Sequence, residues 1–186
     1  MKQKWIYSIK IMSITFGLAS ISSWSLAAIQ GLHFLHKDWE ISCDNTGTCR
    51  AAGYQSDQNI DQPVSVLLER AAGANSGIKA QVQILPLAAA TPTRQLQLQI
   101  ASTPYGVIGL NQEGIGQLNI SQTRALLKAV QGTAPVVFKN TQSRWNLSTA
   151  GASAVLLKMD EFQRRFSTTS ALIRPGKKSN QAVLKA

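Results

Sequence analysis

The sequence predicts an α+β domain, mainly antiparallel β and sandwich-like, with two α-helices in the C-terminal half. Three observations lead there. Segments 79–85 (KAQVQIL) and 94–101 (RQLQLQIA) alternate apolar residues with glutamine, the period of a strand with one wet face. Two stretches after residue 120 instead space their apolar residues three and four apart, the period of a helix. The only two cysteines, Cys43 and Cys49, flank turn residues and sit between strand-like segments.

The chain divides into a signal peptide (1–27), an N-terminal linker (28–36), a single β-rich domain (37–174) and a basic flexible tail (175–186). Lys2, Lys4 and Lys10 precede an uncharged run from Ile11 to Leu26, and Ser25-Leu26-Ala27 offers the small residues a signal peptidase reads. That run is short and diluted by serines, which disfavours an uncleaved membrane anchor. Export to the periplasm or beyond is therefore expected.

In the oxidising compartment that export implies, disulfides persist. Trp39, Ile41 and Cys43 fall on one face of a strand, Asn45-Thr46-Gly47 form a turn, and Arg50 to Tyr54 can return. Facing positions across such a hairpin come within bridging range, so a Cys43–Cys49 disulfide is expected. A redox pair wants two intervening residues and a helix N-terminus, and a structural zinc site wants four ligands. Five residues separate these cysteines and no second pair exists.

The segment 63–70 (PVSVLLER) reads as a strand opened by proline. The two glutamine-bearing strands follow, joined by a proline-containing connection over 86–93. Tyr105 to Leu118 is rich in glycine and reads as a short strand pair or a loop. Ser121 is the expected N-cap of a first helix over Thr123–Gln131, ended by Gly132. Strands are expected at 135–140 and within 143–147. Ser148 or Thr149 then caps a second helix to about Phe166, with Val155, Met159, Phe162 and Phe166 on its core stripe. Asp160–Arg164 and Glu161–Arg165 are expected to pair along it. Asn119 and Asn146, each in an Asn-x-Ser step, look like a shared capping device.

The chain carries 19 Lys+Arg against 9 Asp+Glu, and no acid follows Glu161. Arg164, Arg165, Arg174, Lys177, Lys178 and Lys185 crowd the C-terminal end. An exported protein of that charge meets anionic lipid, acidic polysaccharide or host glycans. Aromatics are 6% of residues, too few for a base-stacking platform, so nucleic acid is not an expected partner. The only histidines, His33 and His36, lie in a terminal polar segment, where neither a metal nor a nucleophile system is expected. No paired carboxylates and no phosphate-cradling glycine loop are visible, and no cofactor is expected. The outward glutamines Gln81, Gln83, Gln95, Gln97 and Gln99 are read as the solvated face of a sheet, with sugar binding as the functional alternative.

The blocks DWEISCDNTGTCRAAGY, PVSVLLERAAG, RWNLSTAGASAVLLKMDEFQRR and ALIRPG, in that order, resemble a bacterial family catalogued as domain of unknown function 1176, related to invasion-associated locus B proteins. The resemblance spans about Lys37 to Gly176. It implies an exported, Gram-negative, β-rich protein, with host-cell interaction suggested by analogy. The expected function is that of a non-catalytic interaction or envelope-associated protein. A periplasmic hydrolase or hydrolase inhibitor is the first rival, and a purely structural envelope factor the second.

Overall fold

The computed structural model describes residues 30–59, 62–85 and 93–185; the expected signal peptide lies outside them. Among the described residues, ten strands form two antiparallel sheets. The first has the order β1 (Leu32–His36), β2 (Trp39–Cys43), β3 (Cys49–Tyr54), β4 (Val64–Arg70), β5 (Lys79–Ile84), β8 (Ile115–Gln117). The second has the order β10 (Arg144–Leu147), β9 (Val136–Lys139), β6 (Gln95–Ile100), β7 (Thr103–Gly109). Helix α2 (Ala152–Phe162) covers the β1–β3 side of the first sheet, while α1 (Ile120–Val130) packs against β5, β6, β7 and β9. The α+β, sandwich-like expectation holds.

Alternation does the sorting. In β5 and β6 every apolar residue from Ala80 to Ile84 and Leu96 to Ile100 is buried, and the glutamines between them face outward. Leu96, Leu98, Phe138, Trp145 and Ile108 join Ile41, Val66, Leu68 and Val82 in one core with Leu126, Val155, Leu156 and Met159 from the helices. Trp39 closes the end of that core. Its indole nitrogen donates to the Ser148 carbonyl at 2.8 Å. Its ring lies so close over Gly53 that a Cβ there would stand 2.3 Å from it.

Cys43 and Cys49 are directly opposite in the β2–β3 register and are bonded to each other. The turn between them is tied by the Asp44 carboxylate, which accepts from the backbone of Thr46 at 2.9 Å and of Thr48 at 3.1 Å. Gly47 has φ +81, and a Cβ on it would meet Ala72 at 2.9 Å, so only glycine suits this position.

Several expectations are corrected. The linker 28–36 is not one from Leu32 onward: β1 pairs with β2 through His36↔Trp39, and places His33 and His36 in the sheet. The glycine-rich stretch contributes two strands to two different sheets, β7 and β8. The N-cap of α1 is Asn119, not Ser121; its side chain accepts from the Gln122 backbone while Gln122 reaches back to Asn119, a capping box. Asn146 caps nothing, being an exposed residue inside β10. Helix α2 stops at Phe162 because Arg164 turns left-handed (φ 56). There Arg165 N–H bonds the Asp160 carbonyl at 2.7 Å and Arg164 N–H bonds that of Glu161 at 3.0 Å, the two bonds of a Schellman ending. Phe166 consequently leaves the core stripe and is 43% exposed.

The tail 175–186 is docked as far as it is described. Lys178 exchanges backbone bonds with Ser167 and Thr169, Leu184 N–H donates to Gln163 O at 3.1 Å, and Gly73 N–H donates to Leu184 O at 2.8 Å. Val183 is buried. Two apolar anchors, invisible to a charge count, hold the segment down.

Candidate functional site

Three gatherings of charged groups define the candidates, beside Arg164, Arg174, Lys177 and Lys178 of the C-terminal segment, which are exposed and without an ion pair among the described residues. The first is internal. Arg70, Asp160 and Arg165 are all at or below 1% exposure. Asp160 accepts from Arg70 Nη2 at 2.7 Å and from the backbone N–H of Leu172 and Ile173 at 2.7 and 2.8 Å. Arg70 also donates to Gln163 at 2.6 Å; Arg165 donates to Gly73 O at 2.6 Å and Ser170 Oγ at 2.7 Å. Burial pushes Arg70 down despite its carboxylate partner, and burial with the nearby Arg70 cation pushes Arg165 down to about 10. The expected Asp160–Arg164 and Glu161–Arg165 pairs are absent among the described residues: Asp160 serves Arg70, and Glu161 pairs with Lys158. This cluster is sealed and joins β4, α2 and the C-terminal segment.

The second place is the outer face of the first sheet. Arg50 lies opposite Glu69 on the neighbouring strand and bonds it at 2.9 Å; it also reaches Asp44 at 3.1 Å. Glu69 in turn lies opposite Lys79. Glu40 accepts from the Tyr54 hydroxyl and lies 3.4 Å from His33 Nε2. The Tyr54 bond, more than His33, holds Glu40 low, and the same bond with burial raises Tyr54 to about 12. Cations here stand against acids. His36 stacks on Phe34, and no group of three metal-ligating side chains exists among the described residues. Gln81 accepts from Gln117 at 2.8 Å.

The third place is the outer face of the second sheet, and there the pattern inverts. The register sets Val107 beside Gln97, Gln97 beside Lys139, and Lys139 beside Arg144. Directly opposed residues share a face, with Cβ atoms about 5 Å apart. One row across four strands therefore reads apolar, amide, cation, cation. A like-charged cross-strand pair destabilises a sheet. Neither Lys139 nor Arg144 has an ion pair among the described residues. No Asp or Glu occurs between Glu69 and Asp160 except Glu113, so all four strands of this sheet are free of acids.

This face opens into a cleft of about 640 Å³ bordered by Arg94, Gln95, Gln97, Lys139, Gln142 and Val107. One rim is fixed: Asn140 donates to Thr93 at 3.1 Å and accepts from the backbone of Gln142 and Ser143 at 2.8 and 2.7 Å. Gln99 is occupied with the Ala101 carbonyl at 2.8 Å. Chemically, the cleft presents the amides of Gln95 and Gln97 beside the cations Arg94 and Lys139, donors that can meet an anion with polar neighbours. Attention to the tail as the basic element missed Arg94, Lys139 and Arg144. The signal available was the scarcity of acids from 70 to 159, with Glu113 alone, upstream of that tail.

Comparison with known proteins gives two findings. The family described as a protein of unknown function (DUF1176) matches residues 33–186. The crystal structure of invasion associated protein B from Bartonella henselae is similar at 16% identity and a TM-score of 0.43, over 72% of this chain and 99% of that one. No curated protein matches the sequence.

Proposed function

The chain belongs to the DUF1176 family, and from that premise we propose that it is an exported, non-catalytic binding protein that attaches to an anionic envelope or host surface. The signal-like N-terminus and the Cys43–Cys49 bond both support export, since such bonds persist outside the reducing cytosol. The observation that carries the binding reading is the unopposed Lys139–Arg144 pair, two cations set directly opposite each other on an acid-free sheet face, whereas on the outer face of the first sheet Arg50 stands against Glu69 and Asp44. Functional sites are where a protein departs from its own stabilising rules.

The test is co-sedimentation with phosphatidylglycerol vesicles. Binding is expected at low salt and fades as salt rises, because exposed charges act within about 8 Å at physiological ionic strength. The double variant Lys139→Gln/Arg144→Gln is expected to lose most of that binding. It should also gain a few tenths of a kcal/mol in stability by relieving the like-charged pair. Equal binding by variant and parent at low salt overturns the proposal.

A further inference from the structure

We infer that the row Val107–Gln97–Lys139–Arg144 is a subsite for one acidic sugar residue of a polysaccharide, a uronate or a sulfated pyranose; this rests on the anionic-surface reading and specifies it. A bare phosphate or carboxylate would use only the cationic end of the row. The rest is also poised for contact. Val107 is 58% exposed. The Gln97 side chain is half-buried at the cleft floor with no bond to another described residue. Strands lie about 4.8 Å apart, so three steps span about 14 Å, enough for one ring and its substituents.

The graded chemistry matches a pyranose. Its C–H face would lie on the Val107 methyls. Vicinal hydroxyls would meet the Gln97 amide, which donates and accepts at once. The acidic substituent would sit at Lys139 on the cleft wall and reach Arg144, which lies opposite Lys139 just beyond the cleft lining, where a guanidinium can take a carboxylate or sulfate through two parallel bonds. Gln95 lies two residues along β6 on the same face, about 7 Å away, with Arg94 next to it at the rim. Amide and cation thus recur where an adjoining sugar residue would fall, which points to a chain rather than a single sugar. The cleft volume of about 640 Å³ lies within the range of ligand sites.

Calorimetry on the disulfide-intact protein tests this with four probes: an oligogalacturonate, a heparin hexasaccharide, neutral maltohexaose, and phosphatidylglycerol vesicles. Saturable binding to an acidic oligosaccharide, without binding to maltohexaose, is expected. Gln97→Leu, which removes no charge, should weaken it about tenfold, as loss of one or two hydrogen bonds would, and leave vesicle binding intact. Lys139→Gln should weaken both. Unchanged circular dichroism and the absence of free thiols certify folding of each variant. If Gln97→Leu leaves oligosaccharide affinity unchanged while Lys139→Gln lowers it, recognition is by charge alone and the sugar inference fails, though the anionic-surface reading stands. The sugar inference fails in the same way if vesicles bind and no acidic oligosaccharide does. Binding to none of the anionic probes overturns both.

Discussion

Asp160→Asn is the most informative perturbation of the fold, because one carboxylate there answers to two buried guanidiniums. Its oxygens accept three bonds of 2.7, 2.7 and 2.8 Å, from Arg70 and from the backbone of Leu172 and Ile173. Asparagine retains the volume and one acceptor. Its NH2 group, however, must face either the Arg70 guanidinium or the two backbone N–H groups, donor against donor. Arg70 and Arg165, both essentially unexposed, would then share no counter-charge among the described residues. Removing one partner of a buried pair costs about 3–5 kcal/mol, a large part of the roughly 5–15 kcal/mol that holds a domain together. The same change frees the backbone of 172–173, so the C-terminal segment should detach before the sheets melt. Urea titration reads the first effect and limited proteolysis after Phe162 the second. A loss below about 1 kcal/mol with the parental cleavage pattern would refute the view that this cluster holds the segment in place.

Cys43→Ala should lower stability by about 2 kcal/mol through loss of a short cross-link, measured by urea titration with and without reductant, and should leave vesicle binding in place because the cleft is on the other sheet. Truncation after Arg174 should cost about 2–4 kcal/mol by removing the Val183 and Leu184 anchors; an unchanged melting temperature would return the segment to the status of a passive tail. Tyr54, raised to about 12 by its bond to Glu40 and by burial, stabilises the fold fully below its ordinary value of 10.0. That contribution is lost as pH climbs through the folded value. Tyrosinate absorbance of parent minus Tyr54→Phe should show this late transition, and a midpoint near 10 would refute the bond's persistence in solution.

What could be read from the chain alone was whatever is local and half-buried. β4, β5 and β6 alternate strictly, and the Cys43–Cys49 hairpin carries its own turn residues, so each declares itself within a few positions. β7 does not: as an edge strand it exposes nearly every residue, so no burial period exists to detect. The end of α2 was illegible because its left-handed residue is Arg164 rather than glycine. The docking of the C-terminal segment depends on partners such as Gly73 and Gln163, and the Arg70–Asp160 pair joins residues ninety apart. No local pattern encodes such contacts. Arg94, Lys139 and Arg144 likewise become neighbours only through strand register, although the absence of acids around them was readable.

Two cationic places in this protein illustrate opposite solutions to surplus positive charge. At Arg70 and Arg165 the surplus is inside, and the fold answers it with Asp160, Gln163, Ser170 and backbone carbonyls. Those side-chain partners cluster at and just after the end of α2, ninety or more residues from Arg70, so charge there has become a device for joining β4 to the C-terminal part of the chain. At Lys139 and Arg144 the surplus is outside, on adjacent strands, and no carboxylate among the described residues pairs with either. A neutral residue at either position would serve the sheet better. The outer face of the other sheet, with Arg50 between Glu69 and Asp44, demonstrates that this chain can pair a surface cation when only stability is at stake. A cost retained on one face and avoided on the other is what the proposed anionic ligand would neutralise, and the amides of Gln95 and Gln97, unbonded to other described side chains, stand beside the cations where the hydroxyls of the proposed sugar would fall.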